Sequence, residues 1–261
     1  MKDLFSLDGR TALITGGSRG IGKMIAEGFI AYGAKVYISS RKADQCAATA
    51  EALSKHGTCV ALPHDISTAE GVQALAASYA AKESSLDILI NNAGAAWGAD
   101  FGEFPEKGWD KVMDLNVKSL FFLTQALHGP LKAAASAERL AKVINIASID
   151  GIRINPWETY SYQASKAAVI HLTRRLAARL IQDHIAVSGI APGAFASDMN
   201  KAARDAGDAV SKLVPAQRIG RTEDMAGTAI FLASKAGDYV VGDTLAVDGG
   251  VAYASLGATW G

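Results

Sequence analysis

The stretch Thr11-Ala-Leu-Ile-Thr-Gly-Gly-Ser-Arg-Gly-Ile-Gly22 decides the fold of this chain. Residues Thr11–Thr15 form a short apolar run that stops at glycine, which reads as a buried strand. A helical pattern follows, with apolar residues at Ile21, Met24, Ile25, Phe29 and Tyr32. Strand, glycine turn and helix in that order form a phosphate-binding corner. Glycine lets the backbone approach a pyrophosphate, and the helix N-terminus supplies unpaired N–H groups and the positive end of its dipole. A glycine cluster alone marks any tight turn; the strand before it and the helix after it give this one its meaning. The spacing is G-x-x-x-G-x-G over Gly16, Gly20 and Gly22, not the G-x-G-x-x-G of larger dehydrogenases.

Outward from this corner the pattern repeats. Lys35–Ser39 reads as a second strand and completes a βαβ unit, and a helical pattern spans Ala43 to Ser54. Strands are expected at Thr58–Leu62, Asp87–Ile90, Val143–Ala147, Ile185–Ile190 and Thr244–Val247. Between them, helices are expected at Ala69–Lys82, Lys107 to about Leu131, Tyr162 to about Gln182, and Thr222–Ser234 with Thr222 as N-cap. Ala196–Gln217 is polar and reads as a mobile lid. Alternation of strands and helices throughout implies a doubly wound, Rossmann-like parallel sheet of seven strands with helices on both faces, residues 1–261 forming a single dinucleotide-binding domain. In such sheets ligands bind beyond the carboxyl ends of the strands. Gly16, Arg41, Asp65, Asn91, Ser148 and Pro192 all follow strands and should meet along one edge.

Composition narrows the function. Twenty-six basic residues balance 26 acidic ones among 261, which argues against a nucleic-acid or membrane-surface role. No apolar run of about 18 residues is present, and the first ten residues lack the apolar core of a signal peptide, so a cytoplasmic location is expected. Cys46 and Cys59 match neither a disulfide framework nor a metal-ligand pattern, and the five histidines share no ligand spacing, so no metal is expected.

Chemistry concentrates in Ser148–Lys166. Tyr162 and Lys166 are four residues apart, hence on one face of a helix. A free phenol titrates near ~10, and a neighbouring ammonium lowers that value toward a usable acid. Ser148 ends a strand and can present its hydroxyl to a substrate oxygen. Tyr160 offers the contrast: four residues on stands Ala164, with no cation. Trp97, Phe101, Trp157, Phe195 and Met199 lie on segments bordering this edge and suggest an apolar substrate cleft, some of them serving the core instead.

The cofactor is legible at the second strand. NAD-binding members of this fold place an acidic residue at its end, where it holds the adenosine ribose hydroxyls and repels a 2′-phosphate. Here the strand ends Ile38-Ser39-Ser40-Arg41, with no acid before Asp44. Arg41, with Ser40 beside it and Arg19 reaching from the glycine turn, suits a 2′-phosphate, so NADP(H) is expected.

Taken together, the chain resembles the short-chain dehydrogenase/reductase family over essentially its whole length. The resemblance rests on Thr15–Gly22, Asn91–Gly94, Asn116, Ser148, Tyr162–Lys166, Pro192 with Gly193, and Val247–Gly250. Within the family it looks most like 3-oxoacyl-[acyl-carrier-protein] reductases of the type associated with rhamnolipid synthesis. One departure is Ser197, where the family usually carries threonine after Pro-Gly. The resemblance implies that Tyr162 protonates a carbonyl oxygen, Lys166 lowers its pKa and holds the nicotinamide ribose, Ser148 bonds the same oxygen, and Asn116 holds a water linking Lys166 to solvent. It further implies cofactor contacts from Gly16, Ser18, Arg19, Gly20, Ile21, Gly22, Ser40, Arg41, Asp65, Ile66, Asn92, Ala93, Gly94, Tyr162, Lys166, Pro192, Gly193, Phe195 and Ser197.

The function so implied is NADPH-dependent reduction of a 3-oxoacyl thioester or apolar ketone, by a homotetramer. An alcohol or sugar dehydrogenase is the enzymatic alternative, and a cofactor-sensing regulatory protein the non-enzymatic one. Arg174, Arg175 and Arg179 read as a solvated helix face or, alternatively, as a dock for an acyl carrier protein.

Overall fold

A computed structural model describes residues 3–197 and 200–255. Seven strands, β1 (Thr11–Thr15), β2 (Lys35–Ser39), β3 (Cys59–Ala61), β4 (Ile88–Asn91), β5 (Ala141–Ile146), β6 (Ile185–Pro192) and β7 (Thr244–Val247), form one sheet. Their order is β3-β2-β1-β4-β5-β6-β7, and every pairing is parallel. The chain therefore winds outward from β1 to β3, then returns and winds the other way from β4. A crevice opens between β1 and β4, where the direction reverses.

Side-chain alternation fills both faces. Ala12 and Ile14 of β1, Ile88 and Ile90 of β4, and Ile144 and Ile146 of β5 enter one core, while Leu13, Leu89 and Val143 enter the other. The first core is covered by α1 (Gly20–Ala31), α2 (Ala43–Leu53) and α10 (Thr222–Ala233). The second is covered by α3 (Ala69–Ala80), α5 (Ser119–Ala126) and α7 (Tyr160–Leu180). Burial on both faces explains why β5 and β6 read as nearly unbroken apolar runs.

Several boundaries differ from expectation. The long helix expected from Lys107 is three pieces: α4 (Glu106–Met113), a π turn over Asp114–Lys118, and α5; α6 (His128–Ala134) then follows. The π turn widens the helix around Asn116. Pro130 lacks an N–H and cannot continue the α5 ladder, so α6 starts afresh. α7 begins at Tyr160, two residues early, and ends in a 3-10 turn whose exit residue, His184, has φ +58°. The N-cap of α10 is Arg221 rather than Thr222: Asp224, held by two bonds from Arg218, accepts from the Arg221 N–H at 2.8 Å. Two short helices, α8 (Lys201–Asp205) and α9 (Gly207–Ser211), occupy the expected lid, with Ala203 and Val214 buried beneath it. No helix among the described residues is long and apolar enough to cross a membrane.

Candidate active site

The glycine turn sits at the β1/β4 crevice. Gly16 and Gly20 adopt φ +65° and +52°, which side-chain-bearing residues rarely tolerate. A β-carbon on Gly22 would stand 2.4 Å from the Gly16 carbonyl oxygen, and one on Gly16 2.7 Å from Asn92 Nδ2. The crevice is stitched from β4: Thr15 Oγ1 accepts from the N–H groups of Asn92 and Ala93 at 3.0 Å, and Asn92 Nδ2 donates to the Thr15 carbonyl at 2.8 Å. Ser18 is buried, and its carbonyl accepts from Thr49 Oγ1 at 2.9 Å, which ties the turn to α2. α1 starts at Gly20 with Arg19 as N-cap and no side-chain cap, so the N–H groups of Gly20, Ile21 and Gly22 face the cradle.

The remaining cofactor-side residues line the same edge. The Gly17 N–H donates to the Ser39 carbonyl at 3.2 Å, bringing the end of β2 against the turn. Just beyond, Ser40 Oγ is buried with no hydrogen-bond partner and Arg41 is exposed. Asp65 is exposed and accepts from the Ser67 N–H at 3.1 Å, while Ile66 is buried in the second core. Gly193 donates to the Val247 carbonyl at 3.0 Å, immediately after Pro192 closes β6. Ser197 lies against the glycine turn, its Cβ 3.2 Å from the β-carbon position of Gly20.

The reacting groups converge beside this cradle. Ser148 follows β5 and is buried; its hydroxyl lies close enough to the Tyr162 phenol to favour the phenolate. Lys166 Nζ lies 5.6 Å from the Tyr162 ring centroid, as the four-residue spacing on α7 requires. Lys166 is 5% exposed and donates to the Ile146 carbonyl at 2.8 Å. The Gly94 backbone passes beside it: a β-carbon there would stand 3.8 Å from Lys166 Nζ and 3.2 Å from Asn116 Oδ1. Asn116 Oδ1 accepts from the Ala95 N–H at 2.8 Å, and its Nδ2 donates to the Ala95 carbonyl and to Ser165 Oγ, each at 2.9 Å.

One electrostatic expectation is reversed. Burial pushes the Tyr162 phenol up to about 12, with the Ser148 hydroxyl opposing and Asp150 adding to the rise. Lys166 is itself pulled down to about 8 by its burial, with Asp150 opposing. At neutral pH the pair is a neutral phenol beside a mostly protonated amine.

The aromatic residues divide. Tyr160 turns away from the reacting groups: its hydroxyl donates to Glu158 at 2.8 Å and its ring stands edge-on to Phe101 and Phe104. It lines an apolar groove of about 880 Å³ together with Phe101, Trp109, Ile154 and Trp157; Tyr162 is not part of that groove. Trp97 instead packs against Gly108 of α4, under Lys111. Phe195 is core, 2% exposed, because Gly220 leaves room for its ring. Met199 lies outside the described residues.

A row of buried amides and hydroxyls supports the site from below. Asn91 Nδ2 donates to Thr124 of α5 and to Asn145 of β5, and Asn145 Nδ2 donates to Thr173 of α7, at 3.0, 2.9 and 2.9 Å. Asn91 is visible in the sequence at the end of its strand, whereas Asn145, a polar residue inside an apolar strand, is hidden by the period of that strand.

A dinucleotide cradle meeting a Ser–Tyr–Lys cluster at the carboxyl edge of a parallel sheet defines a pyridine-nucleotide oxidoreductase. Comparison with known proteins specifies it further. Residues 16–252 match the family profile described as enoyl-(acyl carrier protein) reductase. The chain is 48% identical to a rhamnolipids biosynthesis 3-oxoacyl-[acyl-carrier-protein] reductase of Pseudomonas aeruginosa, over 96% of this chain and 99% of that protein. It is 38% identical to a 5-keto-D-gluconate 5-reductase of Escherichia coli, over 96% and 98%. Among solved structures it superposes on the Pseudomonas aeruginosa RhlG/NADP active-site complex with a TM-score of 0.93, at 47% identity, over 97% of this chain and all of that one. A Burkholderia cenocepacia gluconate 5-dehydrogenase in complex with NADP and tartrate gives 0.89 at 35% identity, over 97% and 99%. The chain belongs to the short-chain dehydrogenase/reductase family, oxidoreductases of CH–OH and C=O groups.

Proposed function

We propose that this enzyme reduces a carbonyl to an alcohol with NADPH, acting on 3-oxoacyl thioesters or apolar ketones. The observation that carries this reading is the Ser148 hydroxyl beside the Tyr162 phenol, with the buried Lys166 amine 5.6 Å from the phenol ring centroid. A phenol pushed upward by burial keeps its proton at neutral pH, and reduction requires a donor at the carbonyl oxygen.

The residues fit NADP(H). The cradle made by Gly16, Gly20 and Gly22 has no room for β-carbons and suits a pyrophosphate. The unpartnered Ser40 Oγ and the exposed Arg41 stand where an adenosine 2′-phosphate would lie, with Arg19 across from them. Asp65 and Ile66 would flank the adenine; Asn92, Ala93 and Gly94 the adjoining ribose; Pro192, Gly193, the Phe195 backbone and Ser197 the carboxamide. When bound, the nicotinamide supplies the hydride.

This chain's own groups do the rest. Ser148 holds the substrate oxygen, and Tyr162 delivers the proton to that oxygen as charge develops there. Lys166, anchored on Ile146, presents positive charge beneath the phenol and reaches the nicotinamide ribose. Asn116 fixes the loop after β4 through Ala95, and so sets the path by which solvent resupplies the proton.

The preference for apolar substrates draws support from the apolar groove beside the site and from the 48% identity to a 3-oxoacyl reductase. The sugar-acid relatives favour a second reading, reduction of a keto-gluconate. An acyl carrier protein would meet Arg174 and Arg175, since Arg179 is paired with Asp183 at 2.8 Å. Small residues of α7, Ala164, Ala167, Ala168 and Ala178, suit close helix packing in a homotetramer. Two free, buried thiols fit the cytoplasm. The test is kcat/KM for 3-oxoacyl thioesters of graded length, apolar ketones and 5-keto-gluconate, each with NADPH. A keto-sugar turning over faster than every apolar carbonyl would reverse the assignment.

A further inference from the structure

Asp150 lies on the turn that runs from Ser148 to pack against α7 at Lys166. It follows Ser148 by two residues in the 3-10 turn Ile149–Gly151, and its N–H donates to Ser148 Oγ at 3.1 Å. The same hydroxyl lies beside the Tyr162 phenol. On its other side the turn presses on α7: a β-carbon on Gly151 would stand 2.5 Å from the Lys166 carbonyl carbon and 2.7 Å from the Ala167 nitrogen. The backbone thus holds this acid one hydrogen bond from the Ser148–Tyr162 pair and one residue from contact with Lys166.

Nothing else neutralises it. Asp150 is half-buried, and no cation among the described residues forms an ion pair with its carboxylate. Arg153, on the same segment, donates instead to the carbonyls of Ile154 and Val251 at 3.4 and 3.3 Å. Asp248, on the segment following β7, accepts from the N–H groups of Gly250 and Ala252. The titratable groups of α7 beside Asp150 are Tyr162 and Lys166. A carboxylate in partly desolvated surroundings acts on such neighbours with little screening.

We propose that Asp150 is a positioning residue whose negative charge keeps the proton on both Tyr162 and Lys166, extending to higher pH the range in which the site stands loaded for carbonyl reduction. This rests on the reading of Tyr162 as proton donor. The direction agrees at both groups: Asp150 adds to the upward push on the phenol and opposes the downward pull of burial on the amine. It deepens the reaction already described without touching substrate.

The experiment is the pH dependence of kcat/KM for carbonyl reduction at saturating NADPH, in wild type, Asp150→Asn and Asp150→Glu. Reduction needs the protonated phenol, so activity falls as pH rises through its titration. In Asp150→Asn the high-pH limb is expected to move down by roughly half a unit to one unit, the size of a single partly screened charge interaction. Asp150→Glu should keep the wild-type limb. Oxidation of the product alcohol rises through the same titration, so its low-pH limb should move down equally. A second readout needs no substrate: ultraviolet titration of Tyr162, taken as the difference between each protein and its Tyr162→Phe counterpart. An unmoved limb together with an unmoved phenolate titration in Asp150→Asn would overturn the proposal, as would equal shifts in Asn and Glu variants. The phenolate titration decides the charge effect even where the reading of substrate fails.

Discussion

Lys166 Nζ donates to the carbonyl oxygen of Ile146, the last residue of β5, at 2.8 Å. One bond from the sheet edge therefore fixes the only ammonium in the reacting cluster, and it does so in a buried place that disfavours the charge.

That cost has a signature in stability. In the unfolded chain a lysine keeps its proton to about 10.4, whereas in the fold Lys166 is pulled down to about 8 by burial. Between those values the unfolded state binds more protons, so stability rises as pH climbs through the window. Below pH 8 the penalty is at its full size, on the order of 3 kcal/mol. Lys166→Met removes it but leaves the Ile146 carbonyl without its donor, at about 1–3 kcal/mol. The variant should be inactive yet no less stable than wild type at pH 7. Between pH 7 and pH 9, wild type should gain melting temperature relative to the variant. Parallel melting curves across that range would contradict the buried-ammonium account.

Two tyrosines two residues apart should behave oppositely. Tyr162→Phe removes the proton donor, and kcat should fall at least about a hundredfold with NADPH affinity retained. Tyr160→Phe touches only Glu158, Phe101 and Phe104 at the rim of the groove. Its kcat should stay within a few-fold of wild type, with any change appearing in KM for bulky substrates. Steady-state kinetics on both variants separates these outcomes; a hundredfold loss in Tyr160→Phe would mean the groove is part of the reaction path.

The sheet and its site edge were legible because strand, glycine turn and helix each leave a local mark. Thr11–Thr15 and Gly16–Gly22 needed no distant partner to be read. What the sequence hid depends on partners far along the chain. Asn116 was read as a site residue only through the family resemblance, and the π turn around it was not legible, because the bonds holding its amide come from Ala95 and Ser165. Phe195 read as a cleft residue because nothing local reveals that Gly220, 25 residues on, makes room for its ring. Asp150 passed unremarked because nothing local shows that its turn packs against α7 at Lys166. The phenol's rise at Tyr162 was missed for a related reason: spacing shows that a lysine is near, not how far either group is withdrawn from water.

The buried row Thr124–Asn91–Asn145–Thr173 makes a prediction of its own. Asn145→Ala leaves Thr173 and Asn91 each short of a partner and opens a small void between β5 and α7. Unsatisfied buried groups cost about 1–3 kcal/mol each, so urea unfolding should show a loss of roughly 2–4 kcal/mol. Ile146, whose carbonyl anchors Lys166, is the next residue, so kcat should fall with KM for NADPH little changed. A stability loss under about 1 kcal/mol would mean that water replaces the missing amide and that the row does not hold the two helices to the sheet.

The cofactor preference turns on the two residues after β2. Ser40 Oγ is buried without a partner, an arrangement that costs free energy unless a ligand completes it. Arg41 beside it is exposed, and its planar fork can bond a phosphate through two N–H groups at once. The Gly17–Ser39 hydrogen bond holds the end of β2 against the glycine turn that carries Arg19. No carboxylate lies between Ser39 and Asp44 to bond a free ribose or repel a phosphate. Charge-assisted hydrogen bonds contribute roughly 1.5–3 kcal/mol each, so one such bond from Arg41 already yields at least a tenfold preference for NADPH over NADH in kcat/KM. Ser40→Asp/Arg41→Ala should erase most of that preference, mainly by weakening NADPH binding, with kcat at saturating NADH unchanged or raised. Arg19→Ala should weaken NADPH binding alone and leave NADH binding as it was. Cofactor fluorescence titrations and kcat/KM for both nucleotides measure each effect. Wild type that favours NADH, or a double variant with undiminished discrimination, would show that the 2′-phosphate is not read at the end of β2.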